Sequence, residues 1–446
     1  MKYSNISKAI LLLLFAGAGG HFQAQEVWTL DQCIDSAMVN NKKLQIGKNE
    51  IRLSNEKQKE VKANLLPKIT ANGDYKYYLD LPTQLMPAAV FGGPEGFYKE
   101  ANFGVDHNVL GNIQLGMPIY SPELYGGIEK VKIAKEVSKL QYQKSAEEVY
   151  FDITNLYYNA QIIKGQMAFI DSNLNNATKL LANVTLLNKE LLAQKTDVDK
   201  VKLQVQQLGT KRRILDSKYA QILNGLKMFM GVSSTKDLDI ETLILKQEKK
   251  EYSIKSSLDI QLLDTKFSLL NSELKTLKKT RYLPTAFLYG SYGVMGYGYE
   301  KPQPLGGDFF KFYNMGFVGA KISMPIFNGT VTNKKITQKK IEIENTTLQK
   351  ELVNDKNSML VSNANLKQVE AQETINESQL QMKLAQEIYN KTILQQKEGL
   401  ASLTDVLLAD NAINQAQQNY ISAIIDYLKA DLELKKVTGN ITRINN

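Results

Sequence analysis

All ten prolines of this 446-residue chain fall in two windows, Pro67 to Pro122 and Pro284 to Pro325. Proline lacks an N–H donor and clashes with the preceding turn, so it breaks helix interiors. The stretches outside the windows are therefore free to be helical for most of their length. Two very long helices are expected, Glu123 to Leu192 and Thr330 to Glu398, each of about 70 residues and so ~105 Å long. Shorter helices are expected over Leu30 to Leu66, Asp197 to Met230, Ser256 to Leu283 and Thr404 to Val437. Helices this long are uncommon in compact domains and point to coiled-coil packing.

Apolar spacing supports that packing. Ile413, Ala416, Tyr420, Ala423, Tyr427, Ala430 and Leu434 alternate at steps of three and four, as a coiled-coil seam requires. Val205, Leu208, Arg212, Leu215, Tyr219, Ile222 and Leu226 follow the same rhythm, with Arg212 as the one polar departure.

The two seams belong to an internal duplication. Asp197-Val198, Tyr219 and Gly231 recur as Asp405-Val406, Tyr427 and Gly439 at a constant offset of 208 residues. The proline windows repeat as well: Leu66-Pro67 recurs as Leu283-Pro284, and Met117-Pro118-Ile119-Tyr120 as Met324-Pro325-Ile326-Phe327. The expected organisation is a signal peptide (1–24), a first repeat (25–231), an equatorial linker (232–255) and a second repeat (256–446). Each repeat runs helix, β-hairpin, long helix, helix.

The windows read as β-hairpins. Ile69, Ala71, Gly73, Tyr75, Tyr77 and Leu79 alternate with Thr70, Asn72, Asp74, Lys76 and Tyr78. Beyond a Gly/Pro-rich loop, Val109, Gly111, Ile113, Leu115 and Met117 alternate with Leu110, Asn112, Gln114 and Gly116. This period marks strands with one apolar and one polar face. Tilted strands of about ten residues can cross a bilayer. The second window is rich in Tyr and Phe, the residues that gather at the interfaces of membrane barrels; a soluble sandwich edge packed by tyrosines is the alternative. Two hairpins cannot close a barrel, and open edges in lipid leave backbone groups unpaired. Strands in a membrane would therefore require several chains to share one barrel.

The N-terminus carries Lys2 and Lys8, a short apolar run from Ala9 to Ala18, and a plausible cleavage site at Phe22-Gln23-Ala24, the pattern of an export signal. An uncleaved anchor is the alternative. No later run reaches the ~18 apolar residues of a membrane helix. Cys33 is the only cysteine, so no internal disulfide can form, and its setting suggests a small core residue. The formal net charge of +9 is spread over lysines interleaved with glutamates, which reads as solvated helical surface rather than a nucleic-acid site.

With these features in place, the chain resembles the TolC family of outer-membrane efflux proteins over nearly its whole mature length. The resemblance rests on Leu30-Asp31-Gln32-Cys33-Ile34-Asp35-Ser36-Ala37 with Asn40-Asn41, the Leu-Pro strand starts, the two Met-Pro-Ile-aromatic strand ends and the duplication. It rests also on Gly399, Ser402, Asp405, Leu408, Ala416, Tyr420, Ala423 and Leu432. It implies an α+β membrane protein. Long antiparallel helical hairpins would form a trimeric α-barrel tube in the periplasm, and each chain would give four strands to a shared twelve-stranded β-barrel in the outer membrane. It further implies a homotrimer that meets a periplasmic adaptor (membrane fusion) protein and an inner-membrane transporter, and that contacts outer-membrane lipid. The helix tips, with Leu192, Asp197, Gly399, Ser402 and Asp405, would form the adaptor-facing entrance, with Asp405 capping the returning helix. The pattern's tip glycine, Gly399, corresponds to Leu191 in the first repeat, which leaves the geometry of that turn open.

Asn72, Asp74, Asn112 and Gln114 are expected to face a water-filled lumen, where polar side chains are tolerated. Catalytic chemistry has no candidates. His21 and His107 are the only histidines, no Cys/His cluster has metal-ligand spacing, and no nucleophile elbow or phosphate loop is present. The expectation is a passive exit duct with no cofactor and no metal; a periplasmic coiled-coil scaffold without a pore is the alternative.

Overall fold

The computed structural model describes residues 27–242, 251–298 and 309–441. The expected signal peptide, His21 and the middle of the expected linker lie outside the described residues. In chain order the elements are β1 (Val27–Trp28), α1 (Leu30–Asn40), α2 (Lys42–Ala63), β2 (Lys68–Tyr77), β3 (Thr83–Pro87), β4 (Tyr98–Asn102), β5 (His107–Tyr120), α3 (Pro122–Lys189), α4 (Lys195–Met230), β6 (Asp239–Ile240), α5 (Leu258–Tyr282), β7 (Thr285–Gly298), β8 (Phe310–Ser323), α6 (Val331–Lys397) and α7 (Leu403–Val437). The two long helices, α3 and α6, have 68 and 67 residues. Among the described residues no helix is long and apolar enough to cross a membrane.

Two differences from the sequence reading have local causes. The first helix is broken at Asn41, whose backbone is extended (ψ 126°). Asn41 Nδ2 donates to the Phe229 carbonyl at 2.6 Å and its Oδ1 accepts from Leu44 N–H at 3.2 Å. The side chain thus caps α2 and anchors the break, which outweighs the helical propensity around it. The loop after β2 also carries structure: β3 and β4 pair as a separate two-stranded ribbon, with Leu85 opposite Glu100.

The chain divides into two compact units, and each draws on both repeats. The first comprises residues up to 49, 140–261 and from 352 onward. Its core is Cys33, Ala37, Leu44, Val149, Ile153, Tyr157, Leu226, Met230 and Ile240, all fully or almost fully buried. Burial in these apolar surroundings pushes the Cys33 thiol up to about 12, so it stays neutral and inert. The α7 seam packs along α6: Ile375, Tyr420, Ala423, Ile424, Tyr427 and Ala430 form one buried cluster, and Tyr389, Val406, Ala409, Ile413 and Ala416 a second. Arg212, the polar intruder in the α4 seam, donates to Asp171 of α3 at 2.7 Å and also pairs with Asp216. Its charge is met across the helix pair, so the seam tolerates it.

The second unit comprises residues 50–139 and 262–351. It holds a four-stranded antiparallel sheet in the order β2-β5-β7-β8. Helix α3 leaves this sheet at Ser121-Pro122. Ser121 Oγ accepts from Leu124 N–H at 3.3 Å, and proline at the first helical position loses no bond. Glu273 of α5 lies between Lys130 of α3 and Lys339 of α6, at 2.7 and 2.9 Å. Gly126 of α3 faces Thr276 of α5 so closely that a Cβ would stand 2.3 Å from its side chain.

Candidate functional site

Residues paired across antiparallel strands share a face, so the registers sort every side chain of the sheet. Asn72 lies opposite Asn112, Asn112 opposite Gly293, and Gln114 opposite Ser291. Asn72, Asp74, Asn112 and Gln114 therefore stand together on one face. Asn72 Nδ2 donates to Asn112 Oδ1 at 3.2 Å, which ties the first two strands side by side. Asn112 and Ser291 are buried, whereas Asn72, Asp74 and Gln114 are exposed. The same face is not polar throughout. On β7 and β8 it carries Tyr289, Tyr297, Tyr313 and Phe317, with Tyr289 meeting Phe317 edge-on and Tyr297 tilted against Tyr313.

The opposite face is apolar and open. Ile69, Tyr75, Ile113, Tyr292, Val294, Phe312, Val318 and Ile322 all lie on it and all are exposed. An exposed apolar surface of this kind marks a lipid or partner contact. It ends in an aromatic cluster at one rim. The His107 ring lies 4.8 Å from Tyr77 and 5.4 Å from Phe309, and its Nδ1 is 2.8 Å from the Tyr75 hydroxyl. Aromatic side chains with a polar tip suit the boundary between hydrocarbon and water.

Glycine lets the second hairpin carry its bulky rings. Phe312 lies opposite Gly296, Phe310 opposite Gly298, Tyr292 opposite Gly316 and Tyr289 opposite Gly319. Each ring covers its glycine so closely that a Cβ there would come within 2.9 Å of ring carbon. The rings fill space that a side chain would otherwise occupy, a pairing that restores packing to glycine-rich strands.

The other expected site residues lie at the two helical tips. After α3, Leu191 N–H donates to Asn188 and Leu192 N–H to Leu187; after α6, Gly399 N–H donates to Gln396 and Leu400 N–H to Gln395. Both turns thus end in the same left-handed cap, with φ of 63° at Leu191 and 71° at Gly399. The first tip reaches the shared geometry without glycine. Leu192, Gly399, Ser402 and Asp405 are exposed, and Asp197 is half-buried. Asp405 is not itself the cap of α7: Ser402 is, with its Oγ accepting from Asp405 N–H at 3.2 Å while Asp405 Oδ2 accepts from Ser402 N–H at 2.8 Å. That reciprocal box, with the carboxylate three residues into the helix, keeps the Asp405 carboxyl below its usual range through its bonds from Ser402. Asp197 accepts from Gln194 N–H in the same way at 3.4 Å.

Above the tips lies a polar layer that the sequence reading missed. Asp410 is buried, and its Oδ2 accepts from Asn414 Nδ2 at 2.8 Å and from Gln204 Nε2 of α4. Asn173 of α3 donates to Gln417 at 2.9 Å and to Asn414. Burial pushes the Asp410 carboxyl up to about 6, against the pull of its two amide donors. Gln204 Oε1 beside it is buried without a partner. A protonated Asp410 could donate to that oxygen and close an acid–amide pair. The signal was present in the sequence: Asp410, Asn414 and Gln417 recur at helical spacing beside Ile413 and Ala416, so polar residues interrupt the buried stripe.

Among the described residues no group of His, Cys, Asp or Glu side chains is placed to hold a metal ion. The outer membrane efflux protein family matches residues 281–440. No curated protein sequence matches the chain. Solved structures do. VceC, an outer membrane protein of Vibrio cholerae, has a TM-score of 0.70 at 12% identity, covering 92% of this chain and 96% of that one. The CmeC outer membrane channel of Campylobacter jejuni has a TM-score of 0.71 at 13% identity, covering 92% and 85%. The open state of the MtrE outer membrane channel of Neisseria gonorrhoeae has a TM-score of 0.71 at 14% identity, covering 93% and 90%. Residues 281–440 thus carry the outer membrane efflux protein pattern, and the chain has over nine-tenths of its length the fold of outer-membrane channels.

Proposed function

We propose that this protein is a passive exit duct of the outer membrane, serving a tripartite efflux or type I secretion system. The observation that carries the reading is the open four-stranded sheet: one face apolar and exposed, the other lined in its first hairpin by Asn72, Asp74, Asn112 and Gln114. Such a sheet fits lipid on one side and water on the other, provided that other copies pair its edges. Three copies would supply the twelve strands of a closed barrel. The helical hairpins would continue the passage through the periplasm to the tips. There a periplasmic adaptor would bind around Leu192, Asp197, Gly399, Ser402 and Asp405, and an inner-membrane transporter would supply the energy. The duct itself performs no covalent chemistry.

Outer-membrane fractionation and planar-bilayer recordings test the proposal. The expected result is a membrane-embedded oligomer that conducts ions. A monomer recovered in the soluble periplasmic fraction, with no conductance, would instead support a coiled-coil scaffold.

A further inference from the structure

Among the described residues, β2 and β8 are the outer strands of the sheet, each with one edge unpaired. A second feature singles out β8. Its repeat equivalent, β5, runs through Met117-Pro118-Ile119-Tyr120 against β7, whereas β8 stops at Ser323. The equivalent residues, Met324-Pro325-Ile326-Phe327, are left outside the sheet, with Ile326 94% and Phe327 83% exposed. The strand ends where its partner is missing.

The duplication says what that partner is. Leu66-Pro67 and Gly73-Asp74-Tyr75 of the first repeat correspond to Leu283-Pro284 and Gly290-Ser291-Tyr292 of the second. This correspondence, with the Met-Pro-Ile match, carries the pairing register without a slip. Ile69 pairs with Leu115, and their equivalents Ala286 and Ile322 pair; Tyr75 pairs with Val109, and their equivalents Tyr292 and Gly316 pair. The junction between the repeats, β5 on β7, can be carried over by the same rule. Its equivalent is β8 on the β2 of another copy.

We propose that β8 of one copy pairs antiparallel with β2 of a second copy in the register of the internal β5–β7 junction, setting Lys321 directly opposite the partner's Asp74. This rests on the shared-barrel reading above and deepens it by fixing the interface residue by residue. Gln114 opposite Ser291 becomes Lys321 opposite the partner's Asp74, and Gly116 opposite Tyr289 becomes Ser323 opposite the partner's Asn72. Tyr120 opposite Ala286 becomes Phe327 opposite the partner's Ile69, which draws the exposed tail of β8 into the sheet. Charge agrees with the assignment. Lys68, Asp74 and Lys76 on β2 and Lys311 and Lys321 on β8 are the only ionisable Lys, Arg, Asp or Glu side chains in the four strands; β5 and β7 have none. All five lie on the polar face, so the neutral internal junction has a charged counterpart where two copies must recognise each other.

The test uses the full-length chain in the outer membrane. Ser323→Cys is combined with Asn72→Cys and oxidised with a copper–phenanthroline complex, and non-reducing gels read the covalent oligomers. The controls combine Ser323→Cys with Thr70→Cys or Asp74→Cys, each displaced by two residues on the same face. Such diagonal neighbours lie ~7–8 Å apart, beyond disulfide reach. The parent chain, whose single Cys33 is buried, serves as blank. The expected result is a ladder of covalent oligomers that is strongest for the Asn72 pair. In a second arm, Lys321→Asp or Asp74→Lys alone reduces the heat-resistant oligomer and the double exchange restores it. A ladder strongest at a displaced pair, or no ladder from an oligomer that an amine cross-linker still captures, overturns the register and leaves the duct reading standing. A chain that is monomeric in the membrane overturns both.

Discussion

Replacing Leu191 with glycine should make the first helical tip more stable, although it deletes a large apolar side chain. Leu191 sits at φ 63°, where an L side chain crowds its own backbone at a cost of ~1–2 kcal/mol. The side chain is 92% exposed, so its removal forfeits almost no packing. Glycine adds unfolded-state entropy worth ~0.4–1 kcal/mol, leaving a net gain of about 1 kcal/mol. The second tip supplies the converse. Gly399 has φ 71°, and a Cβ there would meet nothing within 4 Å, so Gly399→Ala should cost about 1 kcal/mol through the backbone alone. Hydrogen exchange at the tips reads both changes locally. Leu192 N–H, bonded to the Leu187 carbonyl at 2.8 Å, should exchange about fivefold more slowly in Leu191→Gly. Leu400 N–H, bonded to Gln395 at 2.8 Å, should exchange about fivefold faster in Gly399→Ala. Unchanged or faster exchange at Leu192 in Leu191→Gly would refute the claim that the cap is strained. It would mean that the leucine is held there by contacts with another molecule.

Substitutions at three further sites probe the interior. Burial holds the Asp410 carboxyl up at about 6, above its ordinary 3.8, so the folded helices bind a proton that the unfolded chain has already released. The Asp410 contribution to stability is therefore fully present below about pH 4 and lost as pH rises through 6; Asp410→Asn should remove this part of the pH dependence and recover up to ~3 kcal/mol at neutral pH, measured by urea unfolding or local hydrogen exchange. At Glu273 burial pushes the carboxyl up, but the bonds from Lys130 and Lys339 outweigh it and hold the carboxyl low. Its contribution is present above the ordinary value of 4.5 and lost on acidification below it, and Glu273→Gln should cost about 1 kcal/mol at neutral pH in thermal unfolding. Gly126→Ala should destabilise by ~1–3 kcal/mol because its Cβ would overlap Thr276, and adding Thr276→Gly should return most of that loss in the same assay.

The features that were legible in the sequence are those set by period and by proline. Period three-four placed the α7 seam, and all seven of its expected residues are buried. Period two sorted Asn72, Asp74, Asn112 and Gln114 onto one face, and the register keeps them there. What could not be read depended on partners far away in sequence. Asn41 breaks a helix because the Phe229 carbonyl is within reach, and nothing near Asn41 announces Phe229. Gln204 meets Asp410 only because α4 lies beside α7. Leu191 takes a left-handed conformation because helix-end hydrogen bonding outweighs its local preference, a balance that residue type alone does not disclose. The polar face of the second hairpin was obscured because Tyr289 occupies the position where the first hairpin has Asn72. There the cross-strand Gly319, rather than hydrophilicity, explains the choice of residue.

The distribution of charge over the sheet follows from what an open edge must avoid. An unpaired strand invites any other strand, and charged side chains are a common way to make the wrong pairing costly. Confining Lys68, Asp74, Lys76, Lys311 and Lys321 to the outer strands does this without interrupting the exposed apolar face, because all five stand on the opposite face. Between repeats the chain itself enforces the correct neighbour, so Gln114 and Ser291 can be neutral there. Between copies nothing covalent does so, and the equivalent positions hold opposite charges, Lys321 and Asp74. Duplication thus provides one junction twice and differentiates it: an apolar-compatible version inside the chain, where connectivity gives specificity, and a charged version at its edges, where only side chains can.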